Sequence, residues 1–144
     1  MLPNVDLRAA LTTITVVPLD TYVYRAIHVE RLFGYHAGVP YVPNPLHSLG
    51  AVQRGGRYTP RNSMATLYVS GDPGTALLEA NQQSGYFPAG APFPPTVQLC
   101  CRAVLTAVLD LVDPAVVRAL GTTDAELRQP WRLLRDPPTH RLAT

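Results

Sequence analysis

At 144 residues the chain has the length of one domain, residues 1–144, with 1–20 as an N-terminal extension, and its 47% of hydrophobic residues suffices for a packed core. A formal net charge of +2 is too small to argue for direct contact with nucleic acid or a membrane, and the twelve basic residues, all Arg, fit a GC-rich genome as readily as anion binding. Cys100 and Cys101 are adjacent, so on a strand they face opposite ways and do not bridge, and a reducing cytoplasm is the expected compartment. Asp6 and Arg8 interrupt any leader-like apolar run at the start, and no apolar run approaches membrane length.

In chain order, residues 5–12 read as a short helix that Asn4 can cap. Residues 21–27, Thr21-Tyr22-Val23-Tyr24-Arg25-Ala26-Ile27, alternate aromatic and β-branched types and predict a strand with Arg25 near its end. Residues 28–53 carry Gly34, Gly38, Pro40, Pro43, Pro45 and Gly50 and keep no periodicity. A loop this long inside a compact domain is functional or disordered, and Tyr35, His36, Tyr41 and His47 either line an adenine pocket or are scattered loop residues. Arg54-Gly55-Gly56-Arg57-Tyr58 follows as a basic loop. Residues 65–70 predict a second strand, and Asp72-Pro73-Gly74 breaks it. Asp72 or Thr75 caps a helix to about residue 83, with Leu77 and Leu78 facing the core and Glu79 in mid-helix.

The Pro-rich run 84–96 reads as an internal linker, and 97–110 as a long strand, apolar on both faces and therefore central, with both cysteines as packing residues. Asp113-Pro114 opens a short helix that ends near Gly121. Thr123-Asp124-Ala125-Glu126 is a capping-box pattern opening another. Trp131 is expected to pack this helical region back on the sheet, and the tail 135–144 to be loose at its end. No P-loop, repeat, nucleophile elbow or metal-ligand spacing is present, and His28, His36, His47 and His140 are scattered.

The densest chemistry lies in 54–79. Glycines beside arginines let the backbone approach an anion while guanidiniums grip it from the side. Taken singly, Arg25 reads as a surface residue on an edge strand and Glu79 as a solvated helix-face carboxylate, its commonest fate. Together, Tyr22-Val23-Tyr24-Arg25, Gly55-Gly56-Arg57, Leu67-Tyr68-Val69-Ser70 and Ala76-Leu77-Leu78-Glu79 occur in an order that resembles the RES domain, a family named for a shared Arg, Glu and Ser.

That resemblance implies an α+β fold, an ADP-ribosyltransferase-like small split β-sheet core with flanking short helices. It implies no cofactor, with NAD as substrate. The family's activity is cleavage of the nicotinamide–ribose bond, with the ribose passed to phosphate or water. The matching positions are Arg25, Tyr68 and Glu79 for catalysis. Arg25, Arg57, Arg54, Gly55, Gly56 and Tyr68 would bind NAD. Arg25, Arg57 and Arg54 suit the pyrophosphate, because a guanidinium takes phosphate oxygens as a fork. Tyr68 suits the flat cationic nicotinamide. Glu79 suits the positive charge that develops on the ribose.

The implied partner is a helix-turn-helix (Xre-like) antitoxin, and a homodimer is compatible. The chain departs from the family in having no Ser beyond Ser84; Thr139 is the nearest hydroxyl, and the chain reads as short at its C-terminus. Two alternatives stand beside the NAD-degrading toxin. One is a catalytically degenerate module that binds NAD or an antitoxin; the other is an ADP-ribosyltransferase acting on a macromolecule.

Overall fold

A computed structural model of the chain describes residues 2–32, 35–36, 39–40, 45–46, 48–82, 94–129 and 139–140. Its elements follow in the order α1 (Asn4–Thr13), β1 (Val17–His28), α2 (Val29–Leu32), β2 (Tyr35–His36), β3 (Val39–Pro40), α3 (Leu49–Arg54), α4 (Pro73–Gln82), β4 (Thr96–Val108), α5 (Pro114–Ala119) and α6 (Asp124–Leu127). Short helices beside a small sheet make this an α+β fold. Strands β1 and β4 form one two-stranded sheet, and β2 pairs antiparallel with β3 in register Tyr35↔Pro40 and His36↔Val39. At one end of the first sheet Val29 N–H donates to the Pro95 carbonyl; further along, Asp20 meets Arg102. The two contacts run in opposite order along the strands, as an antiparallel pair requires.

Contacts divide the chain into two compact units whose sequences interleave. The first comprises Met1–Leu19, Ser48–Thr66 and Leu105–Thr144; the second comprises Asp20–His47 and Leu67–Val104.

The first unit is organised on Leu7, Val116 and Leu120, with Leu2, Ile14, Leu109 and Leu111 packed against them. Helix α1 supplies Leu7, but its N-cap is Pro3 rather than the expected Asn4, and Pro3 has no side chain with which to cap. The threonine hydroxyls of α1's last turn bond back to the Ala9 and Ala10 carbonyls at 2.7 and 2.9 Å, a local competition with helix continuation. Helix α5 starts as the sequence predicts, with Asp113 Oδ1 accepting the Ala115 N–H at 2.8 Å and Pro114 at the first helical position. It ends at Gly121, whose φ of +58° favours glycine. A Cβ there would lie 2.7 Å from Leu2 Cγ, so the same position also lets the chain start pack closely. Thr123 caps α6 by accepting the Glu126 N–H at 3.1 Å, and Glu126 Oε2 accepts from the Thr122 hydroxyl at 2.6 Å.

Strand β1 is longer than the predicted 21–27, and β4 departs from the expected central strand. Val97, Leu99, Cys101 and Ala103 are half-buried; Gln98, Cys100, Arg102 and Val104 are exposed. These exposed alternate positions form one face of β4, so Cys100 is not a packing residue; among the described residues β1 is the strand that pairs with β4. On that face Arg102 forks onto Asp20 with Nε–Oδ1 2.8 Å and Nη2–Oδ2 2.6 Å. The predicted strand at 65–70 is reduced to one antiparallel bridge, Tyr24↔Ser70, with N–H···O distances of 2.7 and 2.9 Å. Residues 64–69 join no ladder.

Helix α4 is capped as predicted, with Asp72 Oδ1 accepting the Thr75 N–H at 2.7 Å. Its buried face differs from the expectation: Ala76 is 5% exposed, while Leu77 and Leu78 are 41% and 63% exposed. Ala76 and the half-buried Ala80 are one turn apart on one face, and Gln98 Nε2 donates to the Pro73 carbonyl at 2.6 Å beside the helix start. Small side chains therefore form the inner stripe and the leucines lie outside it. The apparently irregular 28–53 holds α2, the β2–β3 pair and α3, elements too short for periodicity to reveal. Trp131 and most of the 84–96 and 135–144 runs lie outside the described residues.

Candidate functional site

The Gly-Gly-Arg loop belongs to the first unit and begins where α3 stops. Gly55 ends that helix with φ +75° and ψ 175°, its N–H donating to the Ala51 carbonyl at 2.8 Å. A Cβ at Gly55 would meet the Thr59 carbonyl oxygen at 3.2 Å, so both the backbone angle and the space call for glycine. Gly56 and Thr59 then exchange N–H···O bonds at 2.9 and 3.3 Å, closing a tight turn with Arg57 and Tyr58 at its tip. Both glycine N–H groups are thus taken by the chain itself. The structure does not offer them to an anion, so an anion contact here falls to side chains.

Arg57 is held at both ends. Its Nη1 donates to the Leu127 carbonyl at 2.7 Å and the Gln129 carbonyl at 3.2 Å, at and just past the end of α6. Its own carbonyl accepts the hydroxyl of Thr139, which is 2% exposed, and the Gly56 carbonyl meets His140 Nε2 at 2.9 Å. Thr139 and His140 are therefore tied to this turn, while the end of the tail lies outside the described residues. Arg61 Nε donates to the Arg54 carbonyl at 3.1 Å, and Asn62, in the left-handed region at φ 59°, donates its N–H to the Val52 carbonyl at 2.8 Å. Thr59, fully buried, shares a 2.6 Å hydroxyl contact with Thr66. The Arg54 side chain is exposed. Arg57 and Tyr58 line an open depression of about 490 Å³ with Leu111, Val112, Asp124, Leu127 and Arg128. In it, the Arg128 guanidinium is paired with Asp124 at 2.7 Å, which raises it above its ordinary value.

Arg25, Tyr68 and Glu79 belong to the second unit. The Tyr24↔Ser70 bridge ties the strand carrying Arg25 to the segment carrying Tyr68. Arg25 is half-buried, Nη1 donates to the Pro45 carbonyl at 3.0 Å, and burial lowers its guanidinium below the usual value. Tyr68 is 36% exposed. Glu79 is exposed on α4. Among the described residues, no three His, Cys, Asp or Glu side chains gather in a way that could hold a metal ion, and no helix is long and apolar enough to cross a membrane.

His140 and the carbonyls of Leu127 and Gln129 were not singled out from the sequence. A lone His in a Pro-rich tail carries no signal, and a main-chain acceptor carries no residue signature at all.

The fold is that of a small α+β protein, and its first unit carries the Gly-Gly-Arg turn. A family model described as the RES domain matches residues 24–144, and the chain belongs to that family. In fold it is similar to a chain in the crystal structure of the M. tuberculosis MbcT-MbcA toxin-antitoxin complex. That match has a TM-score of 0.64 and 17% identity, and covers 97% of this chain and 67% of that chain. No curated protein matches the sequence.

Proposed function

We propose that this RES-domain chain is the NAD-degrading toxin of a toxin–antitoxin pair. The observation that carries the reading is the extent of the family match, 24–144, which includes every residue given a role below. The fold likeness to a chain of a toxin–antitoxin complex supports the same class.

On this reading Arg25, Arg54 and Arg57 take the two negative charges of the NAD pyrophosphate, and Tyr68 offers its ring face to the cationic nicotinamide. The nicotinamide–ribose bond breaks with its electron pair going to the pyridinium ring. The ring leaves neutral, so no general acid is needed. The ribose is left with oxocarbenium character. The Glu79 carboxylate stabilises that charge until phosphate or water adds at the anomeric carbon. Removing such a group costs about 2.7–4 kcal/mol of barrier, roughly 10²–10³ in rate. The proposed partner is a helix-turn-helix antitoxin, and the proposed compartment is the cytoplasm, where NAD is abundant.

Nicotinamide release from NAD, wild type against Glu79→Gln, tests the proposal. Release that falls by at least about 10² in a folded Glu79→Gln supports it. Folded wild type that releases none overturns it. A second reading, an NAD-binding module without turnover, is favoured by the departure at the family's Ser, where the nearest hydroxyl, on Thr139, is committed to the Arg57 carbonyl. Calorimetric binding of NAD without nicotinamide release would select that reading.

A further inference from the structure

Thr139 and His140 lie 82 and 84 residues from the loop residues they touch, yet two consecutive side chains meet two consecutive carbonyls. Thr139 donates to the Arg57 carbonyl, and His140 Nε2 meets the Gly56 carbonyl at 2.9 Å. Thr139 is 2% exposed, so its hydroxyl is fully committed inside the protein. The Gly56–Thr59 exchange holds the Gly56 carbonyl through the Thr59 N–H at 3.3 Å, and the Arg57 carbonyl takes no part in it. Thr139 adds a bond at the Arg57 carbonyl and His140 a second contact at the Gly56 carbonyl, a pairing that fixes both peptides flanking Arg57. It also sets the direction in which the Arg57 side chain leaves the backbone.

We propose that Thr139 and His140 act as a two-point clamp that positions the Gly55-Gly56-Arg57 turn. Thr139 is thereby a positioning residue and not a catalytic one. The part of this proposal that concerns NAD rests on the function proposed above; the clamp itself does not. Thr139, the nearest hydroxyl in the region where the family carries its Ser, turns that hydroxyl to the main chain. Its effect on a ligand is transmitted through Arg57, so it bears on binding more than on the bond-breaking step. His140 reinforces the peptide before Arg57, which the Thr59 N–H also holds, and Thr139 holds the one after it, so loss of either loosens one end of the same turn.

Native-state trypsin digestion reads the clamp directly, because Arg57 is itself a cleavage site. Cleavage after Arg8 and Arg118 serves as an internal reference, since both are exposed residues of the same unit. Thr139→Val keeps the shape and removes the hydroxyl; the expected result is cleavage after Arg57 faster by roughly five-fold relative to the references, the equivalent of one ordinary hydrogen bond. Thr139→Ser returns it to the wild-type rate. His140→Ala gives the same selective gain and stands in if Thr139→Val does not fold.

The second arm measures NAD. Thr139→Val is expected to raise KM, and the calorimetric Kd, by roughly the same five-fold factor with kcat unchanged, again rescued by Ser. Unchanged relative cleavage in both Thr139→Val and His140→Ala overturns the clamp. A fall in kcat at constant KM overturns the positioning role in favour of a chemical one. If wild type neither binds nor cleaves NAD, the functional reading fails while the digestion still decides the clamp.

Discussion

Replacing Arg57 by Ala separates a structural duty of this residue from its proposed contact with phosphate. Helix α6 is a single turn, and the carbonyls at the end of a helix are the ones its own N–H groups leave unpaired. Arg57 Nη1 donates to the Leu127 carbonyl at 2.7 Å and, more loosely, to that of Gln129 at 3.2 Å. Leu127 is 6% exposed, so water is poorly placed to replace the guanidinium at its carbonyl. A hydrogen bond from a charged donor is worth about 1.5–3 kcal/mol. The second contact is long and exposed and adds little, which puts the loss at about 2–3 kcal/mol. For a chain of this size that is a fall in Tm of roughly 4–12 °C.

Thermal unfolding followed by circular dichroism, without ligand, measures it. Arg57→Lys keeps the charge but presents a smaller, more strongly hydrated head, and should fall between Ala and wild type. If Arg57→Ala melts with wild type while NAD binding is lost, the carbonyl contacts contribute nothing to stability and the two-ended anchoring of Arg57 is refuted.

Three other expectations follow from the packing. Gly121→Ala combines a positive φ with a Cβ at 2.7 Å from Leu2 Cγ, and the cost is about 2–4 kcal/mol. The Leu2→Ala, Gly121→Ala double variant should recover the clash and keep only the backbone part, as urea unfolding of the four proteins would show. Leu120→Ala, at a fully buried position of the first unit's core, should cost about 2–5 kcal/mol in the same assay. At Asp72, hydrogen bonds from the Thr75 backbone and then the Thr75 side chain hold the carboxyl below its ordinary value. A depressed carboxyl stabilises the fold above its unfolded value, and the benefit is lost as pH falls from about 4 through the folded value. The stability advantage of wild type over Asp72→Asn should therefore shrink on acidification below about pH 4, and an advantage that is flat across that window would contradict the cap's ionic character.

What the sequence makes legible here is local chemistry with a residue signature. Asp113-Pro114 and Thr123 announce α5 and α6 because a cap is a side chain meeting a nearby N–H. The alternation in β1 survives because β-branched and aromatic residues suit a pleated surface. What fails depends on partners distant in sequence. The 97–110 run reads as central because it is apolar on alternate positions of both faces, yet among the described residues β1 alone pairs with β4, and exposed Val104 shows that apolar character is not burial. On α4 the large leucines suggest an inward face, whereas close approach at Ala76 selects the small residues. Gly55 reads as room for an anion, and the structure uses it to end α3 and to clear the Thr59 carbonyl. The anchoring of Arg57 on main-chain oxygens leaves no trace in residue types.

These assignments sort the motif residues that carry the family resemblance by how a variant can be interpreted. Gly55, Gly56 and Arg57 all have duties in the turn, and Ser70 bridges Tyr24 and accepts the Asp72 N–H at 3.1 Å on the way into α4. Loss of activity at any of them admits a folding explanation. Glu79 differs: it is exposed on a helix capped by Asp72 and packed through Ala76, and neither of those supports involves its carboxylate. A Glu79→Gln protein should therefore melt with wild type, and whatever activity it loses reports on chemistry alone. That makes the carboxylate, and not the arginine turn, the position at which the proposed bond cleavage stands or falls.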